Sequence, residues 1–356
     1  VRSTTTRRTL AAALAGLLAL ALTGCVESGR TDSSRYIGER VACPAPVDES
    51  FTGSVRIGYQ DIPNGDLIVK DTGLLNTCLP NGKITWSKFA SGGDVIQAFG
   101  AGSLDIGLLG SAPAARALSA PLRQDMRVIW IHDVIRGAES LVARDPSITT
   151  VAGLRGKRIA VPFASTSHYS LTGALAAAGI ERDVRLVNLA PDAILGAWKG
   201  GQIDAAFIWE PTLSQLLRDG HVVTSAAETA ASGRPTYDLE GARADFAAAN
   251  PSFLEIWTAA QNWAVTRIND DRAQAATHIA AQLGIPVDAA RKQLDGYGYL
   301  DAGTQSGSAY LGGSLARDLR GTAEFLLNQG EVQGVAAPEA YTGAVYPTAA
   351  AKVSAQ

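Results

Sequence analysis

Cysteine is scarce in this 356-residue chain, with one each at 25, 43 and 78. No two of them form a C-x-x-C pair, and the four histidines (132, 168, 221, 278) stand far apart with no H-E-x-x-H. Linear metal motifs are therefore absent, and the sequence predicts no metal site and no cofactor. Basic clusters are missing as well. The formal charge is −3, from 31 Lys and Arg against 34 Asp and Glu, which leaves no footprint for nucleic acid. No apolar run reaches the roughly 18 residues of a comfortable transmembrane helix. The G-x-S-x-G elbow that exposes a serine nucleophile on an α/β sheet is also lacking.

What is present begins with an export pattern. Arg2, Arg7 and Arg8 precede an apolar run from Leu10 to Leu22, which ends in LTGC. A basic n-region, a short apolar h-region and small residues describe a secretory signal over residues 1–24. The LTGC ending resembles a bacterial lipobox, which implies a lipid on Cys25 and anchorage at the outer face of the cell membrane. Plain secretion with an incidental cysteine is the alternative, and Arg7-Arg8 leaves Sec or twin-arginine export open. Cleavage there removes three arginines and no acid, taking the formal charge from −3 to −6. Residues 25–53 are polar and Ser/Pro-rich and read as a tether. Cys43 and Cys78 would sit where disulfides persist. Bonded, they would pin the tether to the first lobe and stabilise it by about 2–4 kcal/mol; two unpaired thiols are the alternative.

Apolar strand-like runs alternate with helical patterns: SVRIGYQ, KITWSKF, DIGLLG, MRVIWIHDV, SLVARD, GKRIAVP, RLVNLA and DAAFIWE. Such alternation predicts an α/β fold with largely parallel sheets. The segment starting at Val95 aligns with the one starting at Ile194 at a constant offset, each a helix, a glycine turn and a buried strand. Two similar lobes follow. Asp105 and Asp204 precede the repeated strands and are read as turn and capping residues. Ligands in open α/β sheets sit beyond the carboxyl ends of strands. Gln60, Ser91-Gly92-Gly93, Gly110-Ser111 and Trp209-Glu210 all belong at that end.

PFASTSHYSL (162–171) falls under the same rule. It lies between the strand GKRIAVP and a helix that Gly179 would stop. Ser165, Thr166 and Ser167 thus occupy a helix start, where unpaired amides and the dipole attract anions. A bare cap at Ser167 is the simpler alternative. A Ser–His nucleophile is disfavoured, because His168 sits on the first helical turn and no third partner can be named.

Taken together, these segments resemble the periplasmic taurine-binding proteins of ABC importers, within the wider sulfonate/nitrate-binding group. The resemblance is carried by IGYQ (57–60), WSKFASG (86–92), LGSAP (109–113), GKRIAVPFASTSHYSL (156–171), VNLAPDAI (187–194), IDAAFIW (203–209) and PTYD (235–238). It implies a two-lobed type II periplasmic-binding-protein fold with the ligand cleft between lobes: residues 54–137 and 236–345 in one lobe, 138–235 in the other. It also implies a monomeric receptor that delivers taurine to a permease and an ATPase. On that reading Ser111, Ser165, Thr166, Ser167 and His168 serve the sulfonate. Gln60, Glu139, Trp209, Glu210 and Asp238 serve the amine side, where an ammonium wants a carboxylate or an aromatic face. Glu210 departs from the small residue expected there, and LEGARADF after Asp238 replaces an apolar run. A plain aliphatic sulfonate or another small anion stays open as ligand. An enzyme on the same fold is the third reading.

Overall fold

The computed structural model describes residues 41–355. The expected signal (1–24), Cys25 and the tether up to residue 40 lie outside the described residues. The elements run β1 (Ser54–Tyr59), α1 (Gly65–Thr72), α2 (Leu74–Cys78), β2 (Lys83–Lys88), α3 (Gly92–Gly100), β3 (Ile106–Gly110), α4 (Ser111–Leu118) and β4 (Met126–Ile135). Then come β5 (Glu139–Ala143), β6 (Arg158–Val161), α5 (Thr166–Ala178), β7 (Arg185–Asn188), α6 (Pro191–Lys199), β8 (Ala205–Trp209), α7 (Thr212–Leu216), β9 (His221–Ser225) and α8 (Ala226–Ala231). After β10 (Tyr237–Arg243) and α9 (Ala244–Ala249), the chain is mainly helical, led by the 20-residue α10 (Pro251–Asp270) and interrupted by the short β11 (Tyr297–Gly298).

Two sheets organise these elements. One has the order β11-β4-β10-β3-β1-β2 and the other β7-β6-β8-β5-β9. Both are mixed rather than largely parallel. Within each, the βα units stack in parallel: β1 with β2 and β3, and β6 with β7 and β8. The antiparallel members are the short edge strand β11 and the strands β5 and β10, on each of which the chain crosses from one sheet to the other. Strands of the βα units run toward the cleft, so a strand that enters from the cleft must run away from it. Its first residues therefore lie beside its neighbour's last: Glu139 opposite Trp209, and Asp238 opposite Gly110.

The repeat seen in the sequence is structural. α3–β3 and α6–β8 turn through Gly102 (φ 65°) and Gly201 (φ 64°), the left-handed conformation that glycine tolerates. Asp105 and Asp204 do more than turn the chain. Asp105 accepts from Arg56 N at 2.9 Å and from its guanidinium at 2.6 and 3.0 Å. Asp204 accepts from Arg158 N at 2.8 Å and from its guanidinium at 3.0 and 3.1 Å. Each aspartate thus staples its strand to the start of the neighbouring one, which corrects the capping assignment.

Residues 41–53 are not a free tether. Cys43 and Cys78 are joined (S–S 2.06 Å), Asp48 N donates to Cys78 O at 2.9 Å, and Phe51 packs on Phe253 at 5.7 Å. Apolar residues hidden in that polar-looking stretch explain the docking: Val41, Cys43, Ala45 and Phe51 all lie against the core. Among the described residues no helix is long and apolar enough to cross a membrane.

Candidate functional site

Three helices begin where parallel strands end: α3 beyond β2, α4 beyond β3, and α5 beyond β6. Their starts meet at a narrow cavity of about 10 Å³, to which they contribute Gly92, Gly110 and Thr166. Amides in a first turn have no acceptor four residues back, and the helix dipole adds positive potential. The NH groups of Gly92 and Gly93, of Ser111 and Ala112, and of Thr166 and Ser167 occupy such positions. Small residues keep the approach close. A Cβ at Gly110 would sit 2.5 Å from Thr166 Cγ2, so the two sheets' helices nearly touch there.

The other lining groups are Gln60, Ile62, Pro113, Glu139, Trp209 and Asp238, with no lysine or arginine. Gln60 is fixed by its Nε2 donating to Leu108 O at 3.0 Å. Glu139 is buried and accepts from the Thr166 hydroxyl. Burial, then the charge of Asp238, pushes its pKa up to about 8, and the Thr166 hydroxyl pulls the other way. Burial likewise raises Asp238 to about 7, while the neighbouring Asp133 pulls it back. Asp133, its partner across the ladder, is held well above the carboxylate range by burial first, then by Asp238 and Glu139. The cavity combines backbone donors suited to an oxyanion with carboxylates that lack a cation.

Five of the predicted residues, Gln60, Glu139, Thr166, Trp209 and Asp238, line this cavity. The other five do not. Ser111 Oγ accepts from Tyr237 N at 3.2 Å on the returning strand. Ser165, not Ser167, is the cap of α5; its Oγ accepts from His168 N at 3.1 Å and donates to Pro162 O at 2.6 Å. Ser167 Oγ is buried near enough to Glu139 to lower its pKa, yet it meets no partner at hydrogen-bond geometry. His168 stacks on Phe163 (centroids 4.4 Å, planes 3° apart), with Nδ1 3.1 Å from Glu331 Oε1. Burial, then Arg116, lowers its pKa to about 4. Glu210 turns back on its own helix, accepting from Ser214 N at 3.0 Å and Ser214 Oγ at 2.8 Å. Sequence reasoning missed Asp133. Its signal was the polar pair His132-Asp133 inside an otherwise apolar strand.

Residues 67–283 match the NMT1-like family. The taurine-binding periplasmic protein of Escherichia coli K12 is 35% identical over 260 residues, 71% of this chain and 80% of that one. This chain belongs to the NMT1-like family. A putative aliphatic sulfonates-binding protein of the same bacterium is 30% identical over 253 residues, 70% of this chain and 78% of its own length. In solved structures the fold is that of the periplasmic aliphatic sulphonate binding protein of Escherichia coli. The TM-score is 0.68 at 24% identity, over 84% of this chain and 99% of that one. The NMT1-like chain is thus an α/β protein with the fold of periplasmic solute-binding proteins.

Proposed function

We propose that this protein is the extracytoplasmic receptor of an ABC importer and that it captures taurine for delivery to a permease and its ATPase. The observation that carries the proposal is the cation-free pair Glu139 and Asp238, which shares one cavity with three helix starts and has Asp133 buried beside it across the ladder. A sulfonate stays ionised and accepts hydrogen bonds only, which suits backbone amides at helix starts. The ammonium of the same molecule offsets the buried negative charge, and Trp209 presents a face for the chain between them. The 35% identical taurine-binding relative supports the same ligand. A lipid on Cys25 and a monomeric receptor complete the proposal.

A plain aliphatic sulfonate is the second reading, favoured by the 30% identical relative. It would leave the carboxylates unpaired in the closed cavity. Catalysis has less support, because His168 is turned onto Phe163 and the Thr166 hydroxyl, though it donates to Glu139, has no histidine beside it. Isothermal titration with taurine, ethanesulfonate and nitrate separates these readings. Taurine should bind well below about 1 mM and more tightly than ethanesulfonate. No heat with taurine at that concentration would overturn the proposal.

A further inference from the structure

Inside the first sheet's core, three side chains with metal-binding chemistry meet out of contact with solvent. His132 Nε2 lies 2.9 Å from Glu240 Oε2 and 3.7 Å from Asp66 Oδ2. All three residues are 0% exposed, and one ligand atom from each falls within 4.8 Å of the others. The fold brings them together by distinct routes. Asp66 stands in the first turn of α1, where the cap Asn64 accepts from its amide at 3.0 Å. Glu240 lies on β10. His132 is the extra residue of a bulge: Asp133 pairs with Asp238 and Ile131 with Leu239, so nothing opposes His132 in the ladder. A bulge re-aims a side chain, and this one turns the imidazole toward Glu240.

Neither carboxylate has a lysine or arginine partner; among the described residues their ion-pair contacts are with His132 alone. Asp66 Oδ2 and Glu240 Oε1 have no hydrogen-bond partner, nor do His132 Nδ1 and the neighbouring Gln261 Oε1. Buried carboxylates are strongly disfavoured without a counter-charge, and orphaned buried polar atoms are rare. Two of them here are acceptors on carboxylates that flank one imidazole nitrogen.

We propose that Asp66, His132 and Glu240 form a divalent transition-metal site, with Zn²⁺ as the ion the donor set suits. An imidazole nitrogen with two carboxylate oxygens is a mixed N/O set, which zinc accepts and which Ca²⁺ and Mg²⁺, with their all-oxygen preference, do not favour. Tetrahedral bonds of about 2.0–2.2 Å place neighbouring ligand atoms about 3.3–3.6 Å apart; the two His132 separations, 2.9 and 3.7 Å, bracket that range. Gln261 Nε2 donates to Asp66 Oδ1 at 2.6 Å and orients that ligand from behind. The site also accounts for LEGARADF: Glu240 interrupts the apolar run as a ligand. It reverses the sequence expectation of no metal, which linear spacing produced because the three residues are remote along the chain.

Zinc should enter such a buried site as the protein folds. The test uses the purified protein, unfolded and refolded with Zn²⁺ or with EDTA, desalted, and analysed for metal and thermal midpoint. Wild type should retain about one zinc per chain and melt several degrees higher than after refolding in EDTA. Glu240→Gln, which keeps shape and hydrogen bonding, and His132→Gln should retain none and melt alike in both buffers. His278→Gln, which removes the half-buried His278–Asp71 pair, should keep the metal. Zinc held equally by His132→Gln would overturn the proposal, as would a wild type that holds none. Should both ligand variants fail to fold, the visible spectrum of Co²⁺-refolded wild type decides. Intense four-coordinate bands support the site, and the pale spectrum of the hydrated ion overturns it.

Discussion

The two copies of the helix–turn–strand unit, α3–β3 and α6–β8, agree at one end and diverge at the other. Away from the cleft they carry the same device, Arg56 with Asp105 in one and Arg158 with Asp204 in the other, down to a guanidinium bond to the turn carbonyl of Gly102 or Gly201. At the cleft, one copy ends in Gly110-Ser111 and the other in Trp209-Glu210. The first keeps its end bare, so a helix start can approach Thr166. The second raises an aromatic wall and folds its carboxylate back onto Ser214. A repeated scaffold thus holds two ends in register while the loops beyond them specialise, and the divergent end is where ligand chemistry resides.

The divergent end should yield the largest effects. Asp238→Asn should weaken taurine by about 2–4 kcal/mol, the usual cost of removing one partner of a desolvated charge pair, and weaken ethanesulfonate little. Equal losses in titration would remove Asp238 from amine binding. Gly110→Ala should cost about 1–3 kcal/mol in affinity through overpacking against Thr166 Cγ2. Because φ at Gly110 is −69°, the backbone accepts alanine without strain. Thr166→Ser in the same chain keeps the hydroxyl, removes that methyl and should restore binding. Failure to rescue would show that the clash is not the cause.

pH supplies the third test. Glu139 has its pKa raised to about 8, so its ionised fraction grows as pH climbs through that value. An ammonium prefers the ionised form, so taurine affinity should increase from pH 6 to pH 8, by up to about tenfold per unit for one released proton. For the unliganded protein the sign is opposite. A carboxylate whose folded pKa exceeds its unfolded one stabilises fully below the unfolded value, and that contribution is lost as pH rises through the folded value. Glu139→Gln should reduce both trends to what Asp238 contributes, and an unchanged pH profile in that variant would exclude Glu139.

The shared end should show the smallest effect on binding. Asp105→Asn and Asp204→Asn should each lower stability by about 1–3 kcal/mol while leaving taurine affinity unchanged. Asp105 should cost more, because its side chain is 8% exposed against 33% for Asp204. Equal thermal shifts would mean that burial is not what separates the two copies.

Eight strands could be read from the sequence because their runs are bounded by turns and, except for the edge strands β2 and β7, are largely buried. β10 could not. Glu240 is buried against His132, and a Cβ at Gly241 would meet Met126 and Leu109, so a central strand carries residues that look like a loop. Within the site, the carboxyl-end rule found Gln60 and Trp209, and the family resemblance supplied Glu139 and Asp238. The hydroxyl cluster was overread for a geometric reason. Successive residues at a helix start point about 100° apart, so of Ser165, Thr166 and Ser167 only Thr166 faces the cavity. His168 and Glu210 fall outside the cavity lining because their partners, Phe163 with Glu331 and Ser214, depend on rotamers that no pattern encodes.

The central claim is a cavity with an anion end and a cation end, and a crystal structure of the taurine complex tests it most directly. The account predicts sulfonate oxygens on the amides at the starts of α3, α4 and α5, and the ammonium against Asp238 and Glu139. Taurine in the reverse orientation, or bound outside the cavity lined by Gly110, Thr166 and Trp209, would contradict it.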